Sequence, residues 1–260
     1  MERVVEGTGS PLPTMLRAAL PAVPGLNLLP GVAKKGGELP DLTLTRKDVA
    51  VDLENLAAYR EVCGFGPSQH LPFNYPHTLA FPLHMGIMTD SSFPYAAIGS
   101  VHLSNTMTRH RLIAPSERLD VSATATNKRA HPKGTIFDLV TTVTAAGTEE
   151  VVWDSVSTYL RPGPGDADAR PEGEPFEVVA GNGTEWKLPA DLGRRFAAVS
   201  GDYTGRLRNA KNRNAGQGRP CPAPESDGSS SGNRGGMHVA PCMAPAGDRG
   251  ARDREGQVHS

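Results

Sequence analysis

Cysteine is scarce in this chain: Cys63, Cys221 and Cys242 are the only three among 260 residues. Their spacing fits neither an even-numbered disulfide framework nor a metal site, so we expect a reducing, cytoplasmic setting and no metal. No apolar run approaches the roughly 18 residues that a spanning helix needs, so a membrane partner is not expected. Excess charge is absent too, with 27 Lys and Arg against 28 Asp and Glu. A nucleic-acid partner, which would call for a basic stripe, is therefore not expected. The opening Met1 to Gly31 lacks the order of a signal peptide, because Arg3 is followed by acidic Glu6 and then by Gly and Pro. A final absence lies at the other end: no Phe, Trp, Tyr or Ile occurs after Tyr203. The stretch 204–260 cannot bury enough apolar area to offset its ordering entropy, which predicts a disordered tail.

What is present lies in the middle. The length allows one large domain or two small ones. Residues 1–38 form a loose, Pro- and Gly-rich lead-in. Asp52 caps a predicted helix through Cys63, with Leu53, Leu56, Tyr59 and Val62 at helical spacing and Gly64 as its stop. Pro76 to Met88 reads as a longer, mostly buried helix, in which Pro82 implies a kink or a late start. Strand-like runs follow at Ser100–Ile113, Arg118–Thr126, Thr135–Ala145 and Val151–Leu160. Turns at Ala114-Pro115-Ser116, Pro132-Lys133-Gly134 and Ala146-Gly147-Thr148 join them. An antiparallel sheet wrapped on one central helix satisfies this order, an α+β arrangement, although composition alone leaves other α+β folds open.

Residues 162–175 are a Pro- and Gly-rich linker. After it come a short strand at Phe176–Val179 and a helix that Asp191 caps, running through Val199. The two helical segments repeat: Tyr59 matches Phe196, Val62 matches Val199 and Gly64 matches Gly201, with a two-residue shift at the helix start. The copies differ where they end. One finishes Cys63-Gly64-Phe65 and the other Ser200-Gly201-Asp202. A carboxylate just past a helix end can hold a water or a proton, and a phenyl ring cannot.

The run Arg195-Phe196-Ala197-Ala198-Val199-Ser200-Gly201-Asp202-Tyr203 resembles the opening of the MaoC-like hydratase signature. Tyr75 to Met85 and the strand beginning Gly99-Ser100-Val101-His102 resemble the non-catalytic first half of its double hot-dog members. The resemblance covers roughly residues 39–203. It implies a first hot-dog unit over 39–161 that holds substrate, and the start of a second, truncated unit over 176–203. It also implies hydration of a 2-enoyl thioester or dehydration of a 3-hydroxyacyl thioester. Coenzyme A or an acyl carrier protein would carry the acyl group, with no other cofactor, and the chain would form a homo- or heterodimer with another hot-dog subunit. In this family an Asp and a His activate one water, while a backbone N–H polarises the thioester carbonyl. By this resemblance Asp202 is the acid/base residue and Gly201 lies near the oxyanion contact. The signature continues with Asn-Pro, an aliphatic residue and His, where this chain has Thr204, Gly205, Arg206 and Leu207. With Leu207 in place of the imidazole, most activity should be lost. So abrupt a change of composition is what a shifted reading frame produces, and a divergent tail is the alternative. Gly236 to Ala240 echoes a later His-Gly-Met stretch of the family, a match short enough for chance.

Other candidates have plainer readings. His77 and His84, seven apart, fall near one helix face and either line an acyl tunnel or sit as satisfied core residues, the commoner case. His102, His110 and His131 read as strand or turn surface. Arg109-His110-Arg111 reads as a solvated strand end rather than a phosphate site. Gly147, Gly181 and Gly183 form turns, not a dinucleotide loop. Trp153 and Tyr159 read as sheet core.

Overall fold

The computed structural model describes residues 1–5, 34, 36–172, 188–202 and 237–239. Seven strands form one sheet in the order β1-β2-β4-β5-β6-β3-β7. They are β1 (Glu2–Val4), β2 (Thr43–Val49), β3 (Val101–Arg109), β4 (Leu119–His131), β5 (Gly134–Ala145), β6 (Val151–Pro162) and β7 (Met237–Val239). β1 runs parallel to β2, and the other pairings are antiparallel. Among the described residues three helices accompany them: α1 (Leu53–Cys63), α2 (Tyr75–Thr89) and α3 (Leu192–Ser200).

The two hairpins that build the sheet centre turn where the sequence marks them, at Pro132-Lys133 and at Ala146 to Glu150. Gly134 takes φ +143°, and a Cβ there would lie 2.1 Å from the Arg161 carbonyl oxygen, so only glycine fits. Two strand irregularities involve non-glycine residues at positive φ, Asp48 and Asn127. Arg118 pairs with the Asp48 carboxylate and its carbonyl, holding the first in place.

α2 is the central helix. Alternation puts Leu44 and Arg46 of β2, Val121 and Ala123 of β4, and Phe137, Leu139, Thr141 and Val143 of β5 on the face that α2 covers. Ala80, Leu83, Met85, Ile87 and Met88 of α2 are buried, and with those strands they form one apolar core. The helix passes through Pro82 without stopping. Pro82 faces solvent, and Pro76 occupies the first turn, where an absent N–H costs nothing.

The α+β hot-dog arrangement is thus present: an antiparallel sheet wrapped on a central helix. α1 has the anticipated caps. The Asp52 carboxylate accepts from Glu54 N and Asn55 N, and Gly64 closes the helix in the left-handed region. The strands β1 and β2 were not legible in the sequence. β1 lies in the stretch read as a loose lead-in. Asp191, expected to cap α3 with its carboxylate, makes no such bond: its backbone carbonyl accepts from Arg194 N and Arg195 N instead. Met237–Val239, in the tail read as disordered, pair with β3. The strand expected at Phe176–Val179 and the positions Thr204 to Leu207 lie outside the described residues. Among the described residues no helix is long and apolar enough to cross a membrane.

Candidate active site

The site follows from how α3 docks on α1. Phe196 reaches the Tyr59 ring, with centroids 6.1 Å apart, and Arg195 pairs with Glu61 at 3.1 Å. The decisive contact is polar. Asn55 Nδ2 donates to the Val199 carbonyl (3.0 Å), and Asn55 Oδ1 accepts from the Tyr75 hydroxyl (3.1 Å). One amide therefore ties the last turn of α3 to the first turn of α2. Gly201 turns the chain at φ +73°, at a point where an added Cβ would stand 4.0 Å from the Phe81 ring. Asp202 follows, half-buried, its N–H donating to Ser200 Oγ at 3.2 Å.

This turn brings the charge of Asp202 within electrostatic reach of a row of imidazoles. His77 and His84 lie on one face of α2, ring centroids 5.4 Å apart, and His102 of β3 stacks 6.4 Å from His77. His102 in turn stacks on Tyr159, centroids 4.5 Å apart. The charge of Asp202 reaches His77 and Tyr159. Burial lowers the His77 pKa to about 4, against the opposing pull of Asp202. Burial, and then repulsion from His77, lowers His102 to about 3. His84, wholly buried, is held well below the ordinary range by burial and by both neighbouring imidazoles. Burial, and then Asp202, raises the Tyr159 hydroxyl well above its usual value. Neutral, largely buried rings near a half-buried carboxylate can orient a water.

Polar partners fix the rings. His84 Nε2 and Thr141 Oγ1 are 2.7 Å apart, and Asn105 Nδ2 lies 3.5 Å from His77 Nδ1. His84 Nδ1 and His102 Nε2 are buried without a partner.

The Gly201 N–H closes the helix cap on the Ala197 carbonyl (3.0 Å). The core reading describes His84, which is fully buried, whereas His77 is partly buried and feels the charge of Asp202. His102 and His131, read as surface, are not: His102 is stacked inside, and His131 is 8% exposed. His110 does lie at the surface, paired with Asp154. Arg109 sits over the Phe73 ring and Arg111 pairs with Glu117 and Glu150, so this strand end is bound by its own chain. Trp153 is fully buried, its Nε1–H donating to the Phe73 carbonyl. A cavity of about 390 Å³ opens on the far side of the sheet, between Lys47, Asp120 and Thr144, and does not include Asp202. Among the described residues no His, Cys, Asp and Glu cluster has the arrangement of a metal site.

A sheet wrapped on a central helix defines a protein of the hot-dog class. Sequence comparison gives the family. The chain is 33% identical over 203 residues to 3-hydroxyacyl-thioester dehydratase X of Mycobacterium tuberculosis, covering 75% of this chain and 67% of that protein. It therefore belongs to the MaoC-like 3-hydroxyacyl-thioester dehydratase family. A crystal structure of HtdX from the same organism superposes with TM-score 0.53 at 32% identity, over 62% of this chain and 64% of that one. A MaoC-like dehydratase from Phytophthora capsici is more distant, at TM-score 0.45 and 16% identity over 67% of each chain. The chain spans about two thirds of the length of these relatives. No protein-family model matches it.

Proposed function

We propose that this chain acts on 2-enoyl and 3-hydroxyacyl thioesters by adding or eliminating water, with Asp202 as the acid/base group. The placement of Asp202 carries the reading. Its carboxylate is the charged group that the docking of α3 presents to the imidazole row. The chemistry asks for a carboxylate, a water and a polarised carbonyl, so coenzyme A or a carrier protein enters only as the substrate's thioester handle. With Leu207 in the position of the signature histidine, turnover should lie well below that of an intact relative.

Hydration of crotonyl-CoA, followed as loss of enoyl absorbance, tests this. Wild type should turn over slowly, and Asp202→Asn should lose a further factor of roughly 100. An unchanged rate in Asp202→Asn would refute the assignment, and a rate equal to an intact relative's would refute the impaired signature.

Leu207 also favours a second reading, a non-catalytic subunit that binds acyl thioesters and pairs with a complete hot-dog protein. Activity appearing only on mixing with that protein would select it. The free thiol of Cys63 fits a cytoplasmic setting.

A further inference from the structure

His77, Phe81 and His84 succeed one another at i, i+4 and i+7 on α2, so they share a face. A Cβ at Gly201 would meet the Phe81 ring at 4.0 Å, so the segment passes close to Phe81, and Asn55 fastens Val199 to Tyr75, two residues before His77. Both anchors of the segment bearing Asp202 thus lie within about a turn of His77. The ring of His77 also has a defined orientation. Ser157 Oγ donates to Asn105 Oδ1 at 3.3 Å, which turns the Asn105 amide nitrogen toward His77 Nδ1. Nδ1 is then the acceptor, and the ring proton resides on Nε2.

We propose that His77, contributed by the first unit, is the imidazole that works with Asp202 in this chain, donating through Nε2–H to the water that the carboxylate activates. This rests on the reading of Asp202 as the acid/base group. During hydration the water oxygen bonds to C3 while Asp202 takes one of its protons. The C2–C3 π pair moves to C2 and collects that proton from the carboxyl group. Elimination runs the same steps in reverse. His77 orients the water and ends each cycle with the proton it began with, so the step needs no further reactant. The second unit supplies the charge and the first unit the directed N–H, across their junction.

The full chain tests this by crotonyl-CoA hydration together with nitrogen-15 NMR of the imidazoles at neutral pH. His77→Ala should lower kcat by roughly tenfold to a hundredfold with little change in KM. His77→Asn, which keeps an N–H donor, should recover part of the loss, and a thermal melt on each variant checks its folding. In wild type the His77 spectrum should show the Nε2–H form. Asn105→Ala should admit the Nδ1–H form, and Asp202→Asn should move the His77 Nε2 resonance. Turnover that Asp202→Asn abolishes and His77→Ala spares overturns this inference alone. So does a His77 resonance that ignores Asp202→Asn. Absence of turnover in wild type overturns the reading of Asp202 and this inference with it.

Discussion

Replacing Asn55 with alanine isolates the contact that places the carboxylate. The amide donates to Val199 on α3 and accepts from Tyr75, which is 1% exposed. Each neutral hydrogen bond is worth about 1 kcal/mol net, and a buried hydroxyl stripped of its acceptor costs about 1–3 kcal/mol. The loss should be about 2–3 kcal/mol, because the Val199 carbonyl, near the helix end, regains water. For a body of this size that lowers the melting temperature by roughly 4–10 °C. Tyr75→Phe removes donor and demand together, so it should cost only about 1 kcal/mol, and adding it to Asn55→Ala should cost less than the sum. α3 is also tied by the burial of Ala197 and the packing of Val199 on the core, by the Tyr59–Phe196 contact, and by the exposed Arg195–Glu61 pair, the last worth about 0.2–1 kcal/mol. Amide exchange across 194–201 should therefore accelerate in Asn55→Ala, and hydration should fall about tenfold as Asp202 loses its position. Wild-type melting with unchanged exchange over α3 would refute the reasoning.

Other perturbations read different parts of the frame. Asp138, 5% exposed, accepts from Asn127, Arg129 and Thr158, so Asp138→Ala should cost about 3 kcal/mol in urea denaturation, moderated because Arg129 keeps Glu172. Gly134→Ala, which drives a Cβ into the Arg161 carbonyl, should cost about 3 kcal/mol or prevent folding. Gly147→Ala, with open space at φ +72°, should cost only about 1 kcal/mol. The urea midpoint should fall as pH drops from about 6.5 toward 4. The folded chain keeps His77, His84 and His102 neutral while the unfolded chain protonates them. The unfolded state then binds more protons, and each imidazole withdraws up to about 1.4 kcal/mol per pH unit. A midpoint level between pH 7 and 5 would contradict this, and His84→Gln should flatten the slope.

How much was legible follows from the range of each interaction. α1 was readable to its ends because its caps are local: a carboxylate beside two free N–H groups and a glycine at positive φ. The β4–β5 and β5–β6 turns were readable for the same reason. β1 and β2 were not, since short strands beside a Pro- and Gly-rich lead-in show little pattern until a neighbour pairs with them. Asp191 misled because a good capping residue type does not ensure capping geometry. At the site, Asp202 stood out through the repeat and the signature. His77 was noticed only for its spacing to His84, and His102 was misassigned because strand alternation does not say which face the core takes, least of all beside a register shift.

The sequence by itself determined the family, the central helix, the main hairpins and the carboxylate after Gly201, all encoded in contiguous residues. Only the tertiary structure decided what surrounds that carboxylate. Asn55, Tyr75, His77, Asn105, Ser157 and Tyr159 are scattered along the chain and come together because α2 is buried against the sheet and α3 docks on α1, whose Asn55 reaches Tyr75 of α2. Packing brings such groups together without leaving a periodic trace in the sequence, so the imidazole beside Asp202 emerges only in three dimensions.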